Sequence, residues 1–218
     1  MLRVVPRIRD PLHTRAAIVQ ATIDALAEVG YMGTTTVEVQ HRASVSRGAL
    51  LHHFGSRAEL LAAAVEEIGS RRHNEMISSQ MKLGDRVFGL PEALAMLRRS
   101  FSSVTYSVEQ ELWAAARTDR ELRGSVQPVE QRLGRQMKSG LDRLFRVVPE
   151  GNRAIAIQMS VTFVRGLAVA DSLRTRPNDS YRELEEFALL LQTRFIHPEA
   201  THRTLPSKRT TNASRKDK

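Results

Sequence analysis

Apolar residues recur along this chain at steps of three and four, the period of a helix buried along one side. Ile18, Ala21, Ala25 and Val29 form one such series, closed by Gly30 as a helix stop, and Leu60, Leu61, Ala64, Val65 and Ile68 form another. Leu90, Leu94, Leu97, Phe101, Val104 and Val108 fall on a third stripe. A fourth runs through Leu122, Val126, Val129, Leu133, Met137, Leu141 and Phe145. No segment alternates apolar and polar residues between hairpin turns, so the pattern predicts an all-α protein without a sheet. Breakers at 30–33, 84–91, 149–152 and 177–179 read as turns, which divides the chain into about nine helices.

The segment 34–61 carries the sharpest local signals. Thr35 with Glu38 three positions on is a capping box that opens a short helix over 36–43. Ser44 and Val45 make a tight turn, Ser46 caps a second helix over 47–54, and Gly55 interrupts it. Ser56 with Glu59 is a second capping box at the head of a long helix. Two short helices joined by a few residues are the layout of a helix-turn-helix. Val37, Ala43, Val45, Leu50 and Phe54 are expected to hold it together.

The residue chemistry of that unit suits DNA. Arg47 has the reach to pair with guanine acceptors bidentately, and Ser46 with either base type. Gly48 and Ala49 let a backbone come close; Gly48 costs about 1 kcal/mol relative to alanine in a helix, so its place there calls for a reason. Leu51 and His52 share the helix, and backbone amides with Thr35, Thr36, His53 and Arg57 make candidate phosphate clamps. Taken alone, Arg47 reads as a solvated surface arginine before it reads as a base reader. His52 and His53 are adjacent, so they point to different faces and cannot share a metal; no metal or cofactor is expected.

From about residue 14 to 61 the chain resembles the DNA-binding domain of the TetR family of bacterial regulators. The matching pieces are Ala25-Leu26, Gly30-Tyr31, Thr34-Thr35-Thr36-Val37, Val45-Ser46-Arg47-Gly48-Ala49-Leu50, His53-Phe54, and Ser56-Arg57 with Leu60. The resemblance implies a three-helix DNA-binding domain over 1–57, its first ten residues a basic arm. A helical ligand-binding and dimerisation domain over 58–197 would follow. It also implies a homodimer on a double-stranded DNA operator and a small-molecule effector, most often in a repressor; an activator or a ligand-independent regulator shares the fold. Three positions depart from the family pattern. Leu51 stands where a tyrosine usually reaches a phosphate, leaving His52 as the candidate substitute. Ser44 replaces a common turn glycine, and Gln40 an alanine.

Beyond residue 61, aromatic and thioether side chains gather. Phe101, Tyr106, Trp113, Met137 and Phe163 are the candidate pocket lining, although the default reading of any one of them is ordinary helical core. Arg117 and Arg165 lie in or beside apolar stretches; either pairs with Glu109, Glu111 or Asp171, or meets an anionic ligand. The last two helices, near 151–173 and 180–197, are apolar on more than one face. Ile155, Met159, Phe163, Gly166, Leu167 and Ala170 on the first, with Leu184, Phe187, Leu191 and Phe195 on the second, are the candidates for an isologous four-helix interface.

Composition narrows the classes without choosing among them. A net charge of +9 permits an acidic polymer as partner, but six basic residues against one acidic from Arg203 onward leave only +4 for the rest. The segment 198–218 has almost nothing to bury and is expected to be a disordered basic tail. The chain has no cysteine, which excludes disulfides and thiolate sites and fits a reducing cytoplasm. No uninterrupted apolar run of membrane-spanning length is present, and the N-terminus is too charged for a secretory signal, so no membrane partner is expected. Phosphate loops, HExxH and nucleophile motifs are lacking, which disfavours an enzyme. A basic interaction module using the tail is the remaining alternative.

Overall fold

The computed structural model describes residues 11–82, 84–101, 104–174 and 179–197. The basic arm over 1–10, the tail over 198–218 and most of the predicted 177–179 turn lie outside them. Among the described residues the chain forms nine α-helices and no strand. They are α1 (Pro11–Gly33), α2 (Thr36–Ala43), α3 (Arg47–His53), α4 (Arg57–Lys82), α5 (Leu90–Ser100), α6 (Val104–Ala116), α7 (Arg120–Leu144), α8 (Glu150–Asp171) and α9 (Asp179–Leu191). One π turn, Gln192–Ile196, extends α9.

The helix ends follow the capping residues. Thr35 accepts from the Glu38 amide and Ser46 from the Ala49 amide, both at 3.1 Å. Ser56 accepts from the Glu59 amide, while the Glu59 carboxylate receives the Gly55 N–H at 2.9 Å. Gly30 takes φ 69°, a left-handed value that glycine adopts without a Cβ penalty, and there the chain kinks out of α1.

Two cores stack along the long helices α4 and α7. The first joins α1, α2 and α3 to the first half of α4 and to facing residues of α6 and α7, among them Ile18, Leu50, Phe54, Leu61, Leu112 and Val126. The second lies among α5, α8, α9 and the far half of α7, around Phe88, Leu94, Tyr106, Phe145 and Val164. Trp113 packs against both. The first core therefore runs past residue 57 into the body of the protein. At Gly69 an added Cβ would sit 2.4 Å from Leu133, so the missing side chain is what lets α4 and α7 approach.

Some expectations change. The 90–108 stripe spans two helices, because the backbone leaves helical geometry at Phe101, whose N–H turns back to the carbonyls of Arg98 and Arg99. Val29 and Val37 are 46% and 71% exposed. The buried valine of α2 is Val39, which lies about 200° round the helix from Val37, so only one of the two can face α1. Pro128 sits inside α7 on an exposed face, where water can satisfy the carbonyl its missing N–H leaves free.

Candidate nucleic-acid interface and inner cavity

The α2–α3 turn depends on Ser44, whose φ of 51° and ψ of 45° put a serine in the left-handed region. Its N–H closes α2 onto the carbonyls of Gln40 and His41, which offsets the strain of a Cβ there. With α2 ended this way, α3 presents Ser46, Arg47, Gly48, Leu51 and His52 to solvent; Thr35 is also exposed, and Thr36, Ala49 and His53 are half-buried. Leu50 and Phe54 pin α3 from beneath at 1% and 3% exposure. Nine of the ten residues proposed from sequence to meet DNA thus line the α2–α3 surface.

The tenth, Arg57, does a different job. Its Nε donates to the Thr34 carbonyl at 2.8 Å, a second nitrogen donates to the Tyr31 carbonyl, and its guanidinium stacks 4.3 Å from the Tyr31 ring centre. Through these two donors it braces α4 to the end of α1.

Tyr31 is held from the other side as well. Its N–H donates to the Glu111 carboxylate at 2.7 Å and its hydroxyl to Asp119 at 3.1 Å. Asp119 also caps α7 by accepting from the Leu122 amide. That bond, helped by Tyr31 and Arg57, lowers its pKa. Thus α6 and the turn after it grip the segment that leads into the helix-turn-helix. No sequence motif marked this contact, which joins residues 80 and 88 positions apart.

The inner cavity, about 250 Å³, lies between α4, α6, α7 and α8. Phe101 and Met137 line it as expected from sequence. Tyr106 and Trp113 stand one layer behind, joined edge-to-face with ring centres 5.8 Å apart. Phe163 is elsewhere, stacked at 4.0 Å on Phe187, and Arg117 is exposed at the end of α6. The expected partners of the arginines are already taken: Glu109 by Arg72, Asp171 by Arg98 and Arg174, and Glu111 by the Tyr31 amide. Arg165, one of the two arginines considered for an anionic ligand, lines the cavity, whereas Arg72 and Glu130 were not expected there, since a lone charge in an amphipathic helix reads as solvated.

Glu109 is 1% exposed, and burial pushes its pKa up to about 7, against the opposing pull of Arg72. Glu130 from α7 adds to the rise and Arg165 from α8 lessens it. The folded chain thus keeps a proton that the unfolded chain has lost. The resulting stabilisation is full below the ordinary value of 4.5 and is lost as the pH rises through about 7. In Glu109→Gln the stability lost between about pH 5 and pH 8 should shrink by on the order of 2 kcal/mol. Urea unfolding of both proteins across that range checks this; equal slopes would remove the buried carboxyl as the cause.

The outer face of α8 carries an exposed apolar stripe. Ile155, Met159 and Val169 are 46%, 42% and 50% exposed, and together with exposed Gly166 and Leu173 they follow one stripe along α8. Leu189 and Leu190 add to it from α9. Four interface candidates from the sequence are corrected: Leu167, Leu184, Leu191 and Phe195 are no more than 6% exposed, because they face the chain's own second core. Phe163, Ala170 and Phe187 are half-buried beside the stripe. By length and composition α8 is also apolar enough to cross a membrane, which a single such helix does not establish.

Residues 18–64 match the sequence model of the family described as bacterial regulatory proteins, tetR family. The chain is 30% identical over 188 residues to an uncharacterised HTH-type transcriptional regulator of Mycobacterium tuberculosis, covering 84% of this chain and 93% of that one. The fold is similar to that of a transcriptional regulator from Rhodococcus sp. RHA1, with a TM-score of 0.65 and 18% identity over 83% of this chain and 97% of the other. It is also similar to the multidrug binding protein EbrR, solved with imidazole, with a TM-score of 0.56 and 17% identity over 79% and 93% of the two chains.

Proposed function

Because the chain belongs to the tetR family of bacterial regulatory proteins, and is a DNA-binding transcriptional regulator and not an enzyme, we propose that it is a homodimeric repressor released from its operator by a small molecule. The observation that carries this reading is the double role of α6. Its Glu109 walls the inner cavity, while its Glu111 holds the Tyr31 amide at the root of the helix-turn-helix.

A ligand that displaces α6 would be felt at Tyr31 and, through the Arg57 brace, at the start of α4. Its effect on DNA affinity can equal only its preference for one arrangement over the other, which for coupled sites is typically about 5–150-fold. The multidrug binding protein in the structural comparison supports a small-molecule effector in this architecture. Two copies joined through the α8 and α9 faces would carry two α3 helices to successive major-groove turns about 34–36 Å apart, which calls for a palindromic site in cytoplasmic DNA. On that site Arg47 and Ser46 read base edges, Gly48 and Ala49 permit close approach, and Leu51 offers a methyl contact. Thr35, Thr36, His52 and His53 position the phosphates.

Selection of genomic fragments by the purified protein, followed by gel shift across a salt series, tests the reading. The expected result is a palindrome bound far more tightly than competitor DNA. Arg47→Ala should weaken binding to it by about tenfold to a hundredfold, with little change on competitor. Binding that ignores sequence and vanishes at moderate salt would reduce the interaction to charge alone and sink the proposal.

A further inference from the structure

The inner cavity holds polar atoms that the chain does not satisfy. Arg165 lines it from α8; its Nε is buried without a hydrogen-bond partner, and no ion pair to it occurs among the described residues. Glu109 faces the same space from α6. One of its oxygens accepts from Arg72, and the other, Oε2, is buried and equally unmet. Leaving such groups unpaired in the interior costs free energy, so an occupant that supplies both partners gains what the empty cavity loses.

The balance of charge favours an anionic occupant. The guanidinium carbons of Arg72 and Arg165 lie 5.0 and 5.4 Å from the centre of the Phe101 ring, which holds both cations at the wall. Of the two carboxyl groups, Glu130 accepts from the Trp113 indole at 2.8 Å, and Glu109 is protonated part of the time at neutral pH. Gly134 and Leu141 line both this cavity and an outer one of about 430 Å³, where Arg135 and Lys138 stand against Asp142. Nothing lies within 4 Å of where a Gly134 Cβ would be. The remaining inner wall includes Leu133, Met137 and Val161.

We infer that the inner cavity binds a small carboxylate with an apolar body, its head received between the Arg165 guanidinium and the Glu109 carboxyl. The inference rests on the reading of this cavity as the effector site. One carboxylate oxygen accepts from Arg165 Nε–H and the other from protonated Glu109 Oε2, while the body lies along Leu133, Met137 and Val161. The volume is below the 300–1,000 Å³ of drug-sized sites, which suits a molecule of about ten non-hydrogen atoms. An ammonium head would meet the Arg165 guanidinium, and an amide would leave that charge unanswered.

Titration calorimetry of the full chain with octanoate, octanamide and octylamine, and with 3-phenylpropanoate and its amide, tests the class. A carboxylate should bind at least about tenfold more tightly than its amide or amine. Arg165→Met keeps the stacked length without the charge, and should erase that preference while leaving amide binding within about twofold; Arg165→Lys should restore part of it. The inference is overturned if neither carboxylate binds, if the amine or amide binds as well, or if Arg165→Met binds carboxylates like the parent. Gel shift with the same compounds separates the two readings. A carboxylate that binds without releasing DNA refutes ligand release alone, whereas release by the amine or amide in preference refutes the carboxylate alone.

Discussion

Met159→Arg is expected to turn the protein into a monomer and to weaken operator binding by about a hundredfold or more. Met159 is 42% exposed at the middle of the α8 stripe, flanked by Ile155 and Gly166, with Leu189 and Leu190 exposed on α9. In the proposed isologous interface each subunit contributes the same patch, so one substitution places two guanidiniums in it. Once the copies separate, each helix-turn-helix binds its half-site alone. The advantage of tethering, which reaches about 100- to 10,000-fold for well-matched geometry, then disappears. Sedimentation velocity and gel shift on the selected operator report the two effects together. A variant that stays dimeric would move the interface elsewhere, and a monomer with undiminished affinity would dissociate DNA binding from dimerisation.

Phe54→Ala should cost about 3–5 kcal/mol of unfolding free energy, the range for truncating a buried aromatic. The ring is 3% exposed at the end of α3, belongs to the first core, and has the Arg15 guanidinium 5.1 Å over its face. That core runs from α1 through α4 into α6 and α7, so the loss is expected in a single transition instead of a separate early melting of the N-terminal helices. Leu51→Ala, three residues away and 48% exposed, is the control and should change stability by no more than about 0.5 kcal/mol. Urea unfolding of both variants decides it. A loss below about 1 kcal/mol for Phe54→Ala, or a separate first transition, would contradict a shared core.

The parts legible in advance are those that a few neighbouring residues determine. Thr35, Ser46 and Ser56 cap helices because a short side chain meets an amide three positions on, an interaction complete within one turn. The 122–145 stripe proved buried from Leu122 to Phe145 because helical period alone puts those residues on one side. The α2–α3 surface was readable for the same reason: the two caps and the Ser44 turn specify which residues of α3 follow one another outward.

Errors arose where the rotation of a helix about its own axis mattered. Val37 and Val39 have the same chemistry, and only contact with α1 selects Val39 for the interior. On α8 and α9 apolar residues cover several faces, so the sequence shows two sticky helices without saying that Leu167, Leu184, Leu191 and Phe195 turn inward while Met159 and Leu190 stay out. Arg57 stands in the segment that resembles a DNA-binding motif, and the sequence did not show that two of its donors go to backbone carbonyls of residues 31 and 34.

By itself the sequence determined the all-helical architecture, the helix-turn-helix and which residues α3 exposes, because periodicity, caps and breakers act over three or four residues. Only the tertiary structure decided that Glu109 and Arg165 meet across one cavity, that Arg72 takes the first and leaves the second unpaired, and that α6 ties this cavity to Tyr31. Those contacts join residues from 37 to 80 positions apart. Whether a charged side chain there is solvated, paired or waiting for a ligand depends on what four helices bring to its side, which no local pattern records.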